Sequence, residues 1–313
     1  MSKIIGLIGG ASGKELTERL HDKGYRVALI VGRNGEMGTE QADYLLTTDL
    51  RNVRTINSFL NDLGVKYLLV GTGHRFAFEL AEKLEQYGLV PNINTSSSKL
   101  AKEKRLFKDY ISKKGILTPE YISINSLDDI VNIDETIKKI GIPCVVKATI
   151  DTMLPQKANS REELIEGIQE ILASGSPVIV EQFVRGIDCT VFVSVKDKIV
   201  KALPICYYSK AEDNDMKGFS SKEYSKMTLS QESEDRVKRY IVEECGFEGL
   251  PRVDLMALPD GTAYILEVNS VGVTGICERH APYCLGTVLA LRAKGIDVAE
   301  IVVNNALAKW NLR

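Results

Sequence analysis

The segment Arg252-Val-Asp-Leu-Met-Ala-Leu-Pro-Asp-Gly-Thr-Ala-Tyr-Ile-Leu-Glu-Val-Asn269 constrains this chain more than any other. Two apolar-rich runs flank Asp260-Gly261, and an Asp-Gly pair between alternating hydrophobics is a strong β-hairpin signal. A two-residue turn at Asp260-Gly261 would pair Pro259 with Thr262. The same register sets Leu255 opposite Leu266, Val253 opposite Val268, Asp254 opposite Glu267 and Arg252 opposite Asn269. Side chains alternate faces along a strand, so Val253, Leu255, Ala257, Tyr264, Leu266 and Val268 form the expected core face. The other face carries Met256 and Ile265 toward the turn and gathers Arg252, Asp254, Glu267 and Asn269 at its open end. Directly opposed residues have Cβ atoms roughly 5 Å apart, a spacing at which like charges repel. Asp254 facing Glu267 therefore calls for a cation or a proton between them. Oxygen donors suit Mg²⁺, which keeps waters and binds substrate phosphates, and Arg252 could clamp an anion bidentately. A solvated outer face is the plain alternative; the two apolar residues on that face count against it.

The rest of the sequence alternates strands and helices. Short apolar runs at 3–9, 26–32, 43–47 and 66–71 are separated by polar, periodic stretches at 13–23, 55–63 and 76–87. That pattern predicts an α/β unit with a parallel sheet covered on both faces. After Ser96-Ser97-Ser98 a lysine-rich helix is expected to about Lys114, stopped by Gly115 with Pro119 beyond. Further strands are expected at 143–148, 177–183 and 190–195. Ser160 and Glu163 suggest a capping box opening a helix that runs to about Ala173. A helix at 232–244 precedes the hairpin, and one last helix follows it. The loop 209–226, rich in Asp, Ser and Lys around Gly218, is too polar to bury by itself; a mobile lid and an inert solvated loop are both open readings.

At 313 residues, with 44% hydrophobic and 26% charged residues, the chain has room for about two domains with buried cores. Its net charge of −2 gives no general footprint for nucleic acid or an anionic membrane. No apolar run approaches the roughly 20 residues of a spanning helix, and the apolar stretch at 3–9 is too short for a signal peptide. The six cysteines include no Cys-x-x-Cys pair and suggest buried, reduced thiols. A soluble, cytoplasmic protein is expected.

Other candidates are individually weak. Gly9-Gly-Ala-Ser-Gly-Lys14 follows the first strand, but Ile8 and Glu15 stand where a P-loop needs Gly and Ser or Thr, and no G-x-G-x-x-G is present. The missing dinucleotide fingerprint argues against an NAD-dependent dehydrogenase. Amides at this helix start could still bind a substrate carboxylate. Lys147 and Glu181 each end an apolar strand; a buried lysine charge needs a partner, and a phosphate is a natural one. Asp188 follows the Gly186 turn. Lys104 sits among Lys99, Lys102 and Lys108 on what reads as a solvated helix. His74 ends a strand where α/β ligands bind, although a lone His is usually structural.

In order and spacing these pieces resemble the ATP-grasp ligases: Lys147 in Ile140-Gly-Ile-Pro-Cys-Val-Val-Lys-Ala148, then Glu181-Gln-Phe-Val184 with Gly186 and Asp188, then Arg252-Val-Asp254 with Glu267-Val-Asn269. The ending Gly272-Val-Thr274 looks most like the D-alanine–D-alanine ligases, and the core is also similar to the carbamoyl-phosphate synthase and biotin carboxylase branches. The resemblance implies an N-terminal domain over 1–96 and an ATP-grasp domain over 97–313, with a small lid subdomain at about 118–183. It implies ATP with Mg²⁺, two ions held by Asp254, Glu267 and Asn269, with Mn²⁺ able to substitute. Lys104 and Lys147 would contact the phosphates, Glu181 and the Val184 backbone the adenine, and Asp188 the ribose. Arg252 would steady an acyl phosphate, and Ser12 and Gly272 would contact substrate. The implied activity is carboxylate–amine ligation on small molecules, with a non-catalytic nucleotide-binding protein as the alternative and a homodimer left open. Two departures stand out. The segment 149–157 lacks the glycines of the family's phosphate lid, so Lys217 from the loop 209–226 is expected to reach the phosphates instead. The D-alanine ligases also carry a glutamate two residues after the first-loop serine, where Lys14 stands here, which argues against D-alanine as substrate.

Overall fold

The computed structural model describes residues 3–149, 153–196, 199–204, 206–208, 222–224, 229–272 and 281–312. The first unit is built from β1 (Ile4–Ile8), α1 (Gly13–Asp22), β2 (Arg26–Val31), β3 (Tyr44–Thr47), α2 (Val53–Asp62), β4 (Tyr67–Val70), α3 (Arg75–Glu85) and β5 (Val90–Pro91). Its strands run parallel in the order β3-β2-β1-β4-β5. β1 and β2 are buried along almost their whole length, as a sheet covered on both faces requires. One face packs on α2 and α3 through Ile56, Leu60, Phe78 and Leu84.

Two helices follow, α4 (Thr95–Lys102) and α5 (Lys104–Lys113), where the sequence suggested one. The chain breaks at Glu103, and the Lys104 N–H donates to the Thr149 carbonyl at 3.4 Å. A tertiary hydrogen bond thus divides a stretch that contains neither Gly nor Pro.

The second unit holds β6 (Tyr121–Ile124), α6 (Ile133–Ile140), β7 (Cys144–Ala148), β8 (Gln156–Ala158), α7 (Arg161–Ala173) and β9 (Val178–Gln182). Its strands form an antiparallel sheet in the order β6-β9-β7-β8. Cys144, Val146, Val178 and Val180 point to a core shared with α6 and α7. Ser160 caps α7 by accepting from the Glu163 N–H at 3.2 Å. The expected reciprocal bond lands one residue earlier, because the Glu163 carboxylate accepts from the Asn159 N–H at 2.7 Å.

The third unit comprises β10 (Ile187–Lys196), β11 (Ile199–Ala202), β12 (Cys206–Tyr208), β13 (Lys222–Tyr224), α8 (Gln231–Arg239, extended by a wider turn over Tyr240–Glu244), β14 (Arg252–Ala257) and β15 (Ala263–Asn269). β10 lies centrally, between β12 and β14, and β14 pairs with β15. Two helices end the chain instead of one, α9 (Ala281–Ala293) and α10 (Val298–Lys309), separated by a turn through Gly295. They return beside α1 to the other face of the first sheet: Leu291, Val298, Val303 and Trp310 share a core with Leu16, Leu20, Ile5, Leu7, Val27 and Leu29. Among the described residues, Cys144, Cys189 and Cys245 are buried, and no helix is long and apolar enough to cross a membrane.

The hairpin register departs from expectation in two compensating ways. Leu258 and Thr262 close a loop in which the Gly261 N–H donates to the Leu258 carbonyl at 2.9 Å. Only Gly261 (φ +84°) takes the left-handed region there; a two-residue turn would need it at Asp260 as well. The longer loop shifts the pairing to Ala257↔Ala263, Met256↔Tyr264 and Leu255↔Ile265. A bulge between Asp254 and Leu255 then absorbs Leu266 and restores Asp254↔Glu267, Val253↔Val268 and Arg252↔Asn269. The correction falls on the core face. Ile265 (2% exposed) and Ala263 are buried, whereas Leu266 and Tyr264 are only half-buried, because one extra residue inverts the alternation on the turn side. The face with Met256 therefore does not hold Ile265.

Candidate nucleotide and metal site

On the second unit's sheet, strand alternation turns Val145, Lys147, Ile179 and Glu181 away from the core, onto one face. Lys147 opposes Ile179, so it reaches Glu181 diagonally, Nζ to Oε2 at 2.8 Å. The other carboxylate oxygen lies 3.2 Å from Nζ of Lys108 on α5, and the Lys108 ammonium also donates to Thr118 Oγ1 at 2.8 Å. Lys108 and Glu181 are 1% and 2% exposed. Burial by itself pushes the Glu181 carboxyl up, but the charges of Lys147 and Lys108 outweigh it and hold the group below its usual range. Burial pushes the Lys108 ammonium down, with Glu181 opposing.

Lys108 was the residue the sequence hid. It reads as one lysine among several, yet it lies between Phe107 and Ile111, both buried, and so falls on the inward arc of α5. That position was the available signal. Lys104, one turn earlier, is half-buried, and its backbone meets the strand-end residue Thr149. Lys157 opposes Val145, which puts it on the same face, and its ammonium sits 4.7 Å from the Phe183 ring centroid. It occupies the glycine-free segment 149–157.

The second half of the site is the hairpin's polar face. Arg252 Nη2 donates to Asp254 Oδ2 at 2.7 Å and lies 3.8 Å from Glu267 Oε1. The guanidinium is thus the cation that the opposed carboxylates call for. Asn269 Nδ2 bridges Asp254 (3.3 Å) and Glu267 (3.1 Å). Thr190, fully buried on β10 and directly opposite Asp254, donates its hydroxyl to Oδ1 at 2.6 Å. Thr190 was also missed, since nothing in the sequence reveals which strand pairs with β14. Asp188 opposes Met256 and Phe192 opposes Arg252. Along this face the order is therefore Asp188, then Asp254 with Glu267, then Arg252 with Asn269, each step about 7 Å. Gly272 lies beyond, where a methyl group would meet the Phe192 ring at 2.5 Å, so the chain needs glycine to pass. Val271 packs against the core of the first unit.

The two halves are joined. The Ile265 N–H donates at 2.8 Å to the carbonyl of Leu117, the neighbour of the Lys108 partner Thr118. Val184 lies half-buried in the connection between β9 and β10. Ser12 is buried at the start of α1 without capping it by its side chain. Lys14 beside it is exposed, and Glu15 is held by Arg292 of α9 at 2.8 Å. His74 caps α3, its Nδ1 accepting from the Phe76 N–H at 3.3 Å, which is the structural role. Of the loop 209–226 only Lys222–Tyr224 is described, as the strand β13; Lys217 and Val273-Thr274 lie outside the described residues.

A family model for the D-ala D-ala ligase C-terminus matches residues 110–304. The chain belongs to that family. Among curated relatives, it is similar to D-alanine--D-alanine ligase B of Clostridium perfringens, 29% identical over 185 residues, covering 56% of this chain and 59% of that protein. The D-alanine--D-alanine ligase of Cupriavidus taiwanensis is 27% identical over 235 residues, covering 70% of this chain and 68% of the relative. Among solved structures, an N5-carboxyaminoimidazole ribonucleotide synthetase in complex with ADP superposes with a TM-score of 0.77 at 17% identity, covering 100% of this chain and 78% of that one. The D-alanine--D-alanine ligase of Bacillus anthracis complexed with ATP gives 0.67 at 21% identity, covering 98% and 97%. These likenesses establish the ATP-grasp fold and the mixed α/β class expected from the sequence.

The donor set fits a hard divalent cation. Asp254, Glu267 and the Asn269 amide, after a flip that presents its oxygen, offer oxygen ligands and leave positions for water and phosphate, as Mg²⁺ prefers. Among the described residues there is no cluster of three or more His, Cys, Asp and Glu, so such an ion would rest on two carboxylates and an amide.

Proposed function

We propose that this protein is an ATP-dependent carboxylate–amine ligase acting on a small carboxylic or amino acid. The observation that carries it is the pairing of a buried cation cluster, Lys108–Glu181–Lys147, with the acidic hairpin Asp254–Glu267–Asn269 in one site. Family membership and relatives named as D-alanine ligases support it.

In this reading Lys147 and Lys104 bind the phosphates, Glu181 and the Val184 backbone the adenine, and Asp188 the ribose. That order agrees with Asp188 lying on the turn side of Asp254 and Arg252 on the other. Asp254, Glu267 and Asn269 would hold Mg²⁺, one or two ions, which neutralises charge spreading over the phosphoryl oxygens. A carboxylate oxygen of the substrate attacks the γ-phosphorus, the bond to the β-phosphate oxygen breaks, and ADP leaves. Arg252, then released from Asp254, would steady the acyl phosphate. An amine attacks its carbonyl carbon, phosphate departs, and the amine gives up a proton. Positioning and electrostatics supply the rate, so no nucleophilic side chain is required. Gly272 and the α1 start at Ser12 would border the carboxylate. Glu15 is engaged by Arg292, which agrees with a substrate other than D-alanine.

The test is ADP release, with Mg²⁺ or Mn²⁺, against a panel of amino and hydroxy acids, singly and in pairs. Release dependent on a carboxylate and an amine together supports the ligase. ATP binding with no release under any pair supports a non-catalytic nucleotide-binding protein instead.

A further inference from the structure

Glu181 needs only one cation to neutralise it, and Lys147 already lies 2.8 Å away. A one-to-one pair at that distance is a dipole, whose field falls off quickly and offers a phosphate little. The second ammonium changes the count, since two lysines on one carboxylate leave a net charge of +1. The side chains differ in access. The Lys108 and Glu181 side chains are 2% and 3% exposed, whereas that of Lys147 is 13% exposed and is the most accessible of the three. Lys108 is held from behind by the Thr118 hydroxyl and stands over the Tyr121 ring, 5.6 Å from its centroid. A buried lysine is costly. If the cluster served only to tie α5 to the sheet, Lys147 facing Glu181 would be superfluous.

Building on the nucleotide site proposed above, we propose that Lys108 is a positioning residue for the phosphate chain: by sharing the Glu181 carboxylate it leaves Lys147 with a net positive charge to offer the phosphates. Lys108 itself stays buried and acts through the carboxylate. The arrangement also fixes the Lys147 ammonium before any nucleotide arrives, so little side-chain entropy is lost on binding.

The readout is the ratio of AMP to ADP dissociation constants, measured by calorimetry at fixed Mg²⁺. The adenine and ribose contribute to both, so the ratio isolates the added phosphate. In Lys108→Met the ratio falls about tenfold, the size of one partly buried charge interaction, while Lys108→Arg keeps it. The double variant Lys108→Met with Glu181→Gln regains most of the ratio, because Lys147 is then unpaired again; a purely structural tie would not be rescued this way. A wild-type ratio in Lys108→Met, or a double variant no better than the single one, overturns the inference. Should Lys108→Met fail to fold, Glu181→Gln alone decides: a ratio at or above wild type supports the proposal, and a lower one overturns it. Wild-type protein that binds neither nucleotide overturns the nucleotide reading itself, and this inference with it.

Discussion

The two halves of the site have opposite charge patterns. On the second unit's sheet, two lysines share one carboxylate, and the cluster is almost fully buried. On the hairpin, two carboxylates share one arginine; Asp254 is 13% exposed and Glu267 37%. The buried half carries a surplus positive charge and the open half a surplus negative one. The contrast shows how a site can hold like charges ready without its ligand. Each cluster keeps one ion of opposite sign as an internal partner, and the surplus is what a ligand would complete: phosphate at one side, metal at the other. The difference in burial separates fixed from exchangeable partners. Lys108 is locked by packing, whereas Arg252 is 17% exposed and, in the proposed reading, would yield its place to a cation.

The largest expected effect tests the acidic half. Glu267→Gln should lower ADP release about a thousandfold or more, because it removes a proposed ligand for the ion that would balance transition-state charge. Its metal-free thermal midpoint should stay within a few degrees of wild type, since Arg252 already relieves the repulsion. A midpoint collapse would mean that the pair is structural and that the two halves are not comparable.

Next is Thr190→Val, which keeps shape and removes the hydroxyl that orients Asp254. The Mg²⁺ concentration for half-maximal activity should rise about 10- to 100-fold, the range for groups that orient metal ligands, and Thr190→Ser should restore it. Unchanged Mg²⁺ dependence would show that Asp254 is oriented by Arg252 alone.

A smaller effect is expected from Gly261→Ala. Its φ of +84° and the approach of a methyl to Ser230 N at 2.6 Å should cost about 1–3 kcal/mol, read by denaturant unfolding. Activity measured well below the new midpoint should survive, because the bulge at Leu266, not the turn, sets Asp254 opposite Glu267. Lost activity in folded protein would place that register in the turn.

The smallest effect tests the buried half by pH. Glu181, held below its usual 4.5, contributes stability that is present above about that pH and lost as pH falls through its lower folded value. Lys108, pushed below its usual 10.5, carries a penalty at neutral pH that is relieved as pH rises through its folded value toward 10.5. Thermal midpoints from pH 3 upward should therefore fall more steeply in acid for wild type than for Glu181→Gln. Parallel curves would remove the claim that two cations hold Glu181 ionised.

Much of this was legible in the residues themselves. Strand–helix alternation placed β1 to β4 of the first sheet to within a residue or two at each end, because buried parallel strands must be near-continuous apolar runs and helices must keep one apolar stripe, but it missed the two-residue edge strand β5. The pairing of Asp254 with Glu267 and of Arg252 with Asn269 followed from the period of a strand. That agreement was partly fortunate, since a longer loop and a bulge cancelled. What the tertiary structure alone decided has one physical cause: contacts between elements far apart in the chain carry no local signal. Thr190 reaches Asp254 across 64 positions. Lys108 turns inward because the chain breaks at Glu103 and α5 then lies against a sheet whose strand order no short segment encodes. The sequence by itself determined which elements form and which side chains share a face; only their packing decided that two lysines would share one glutamate and that an arginine would stand between two acids.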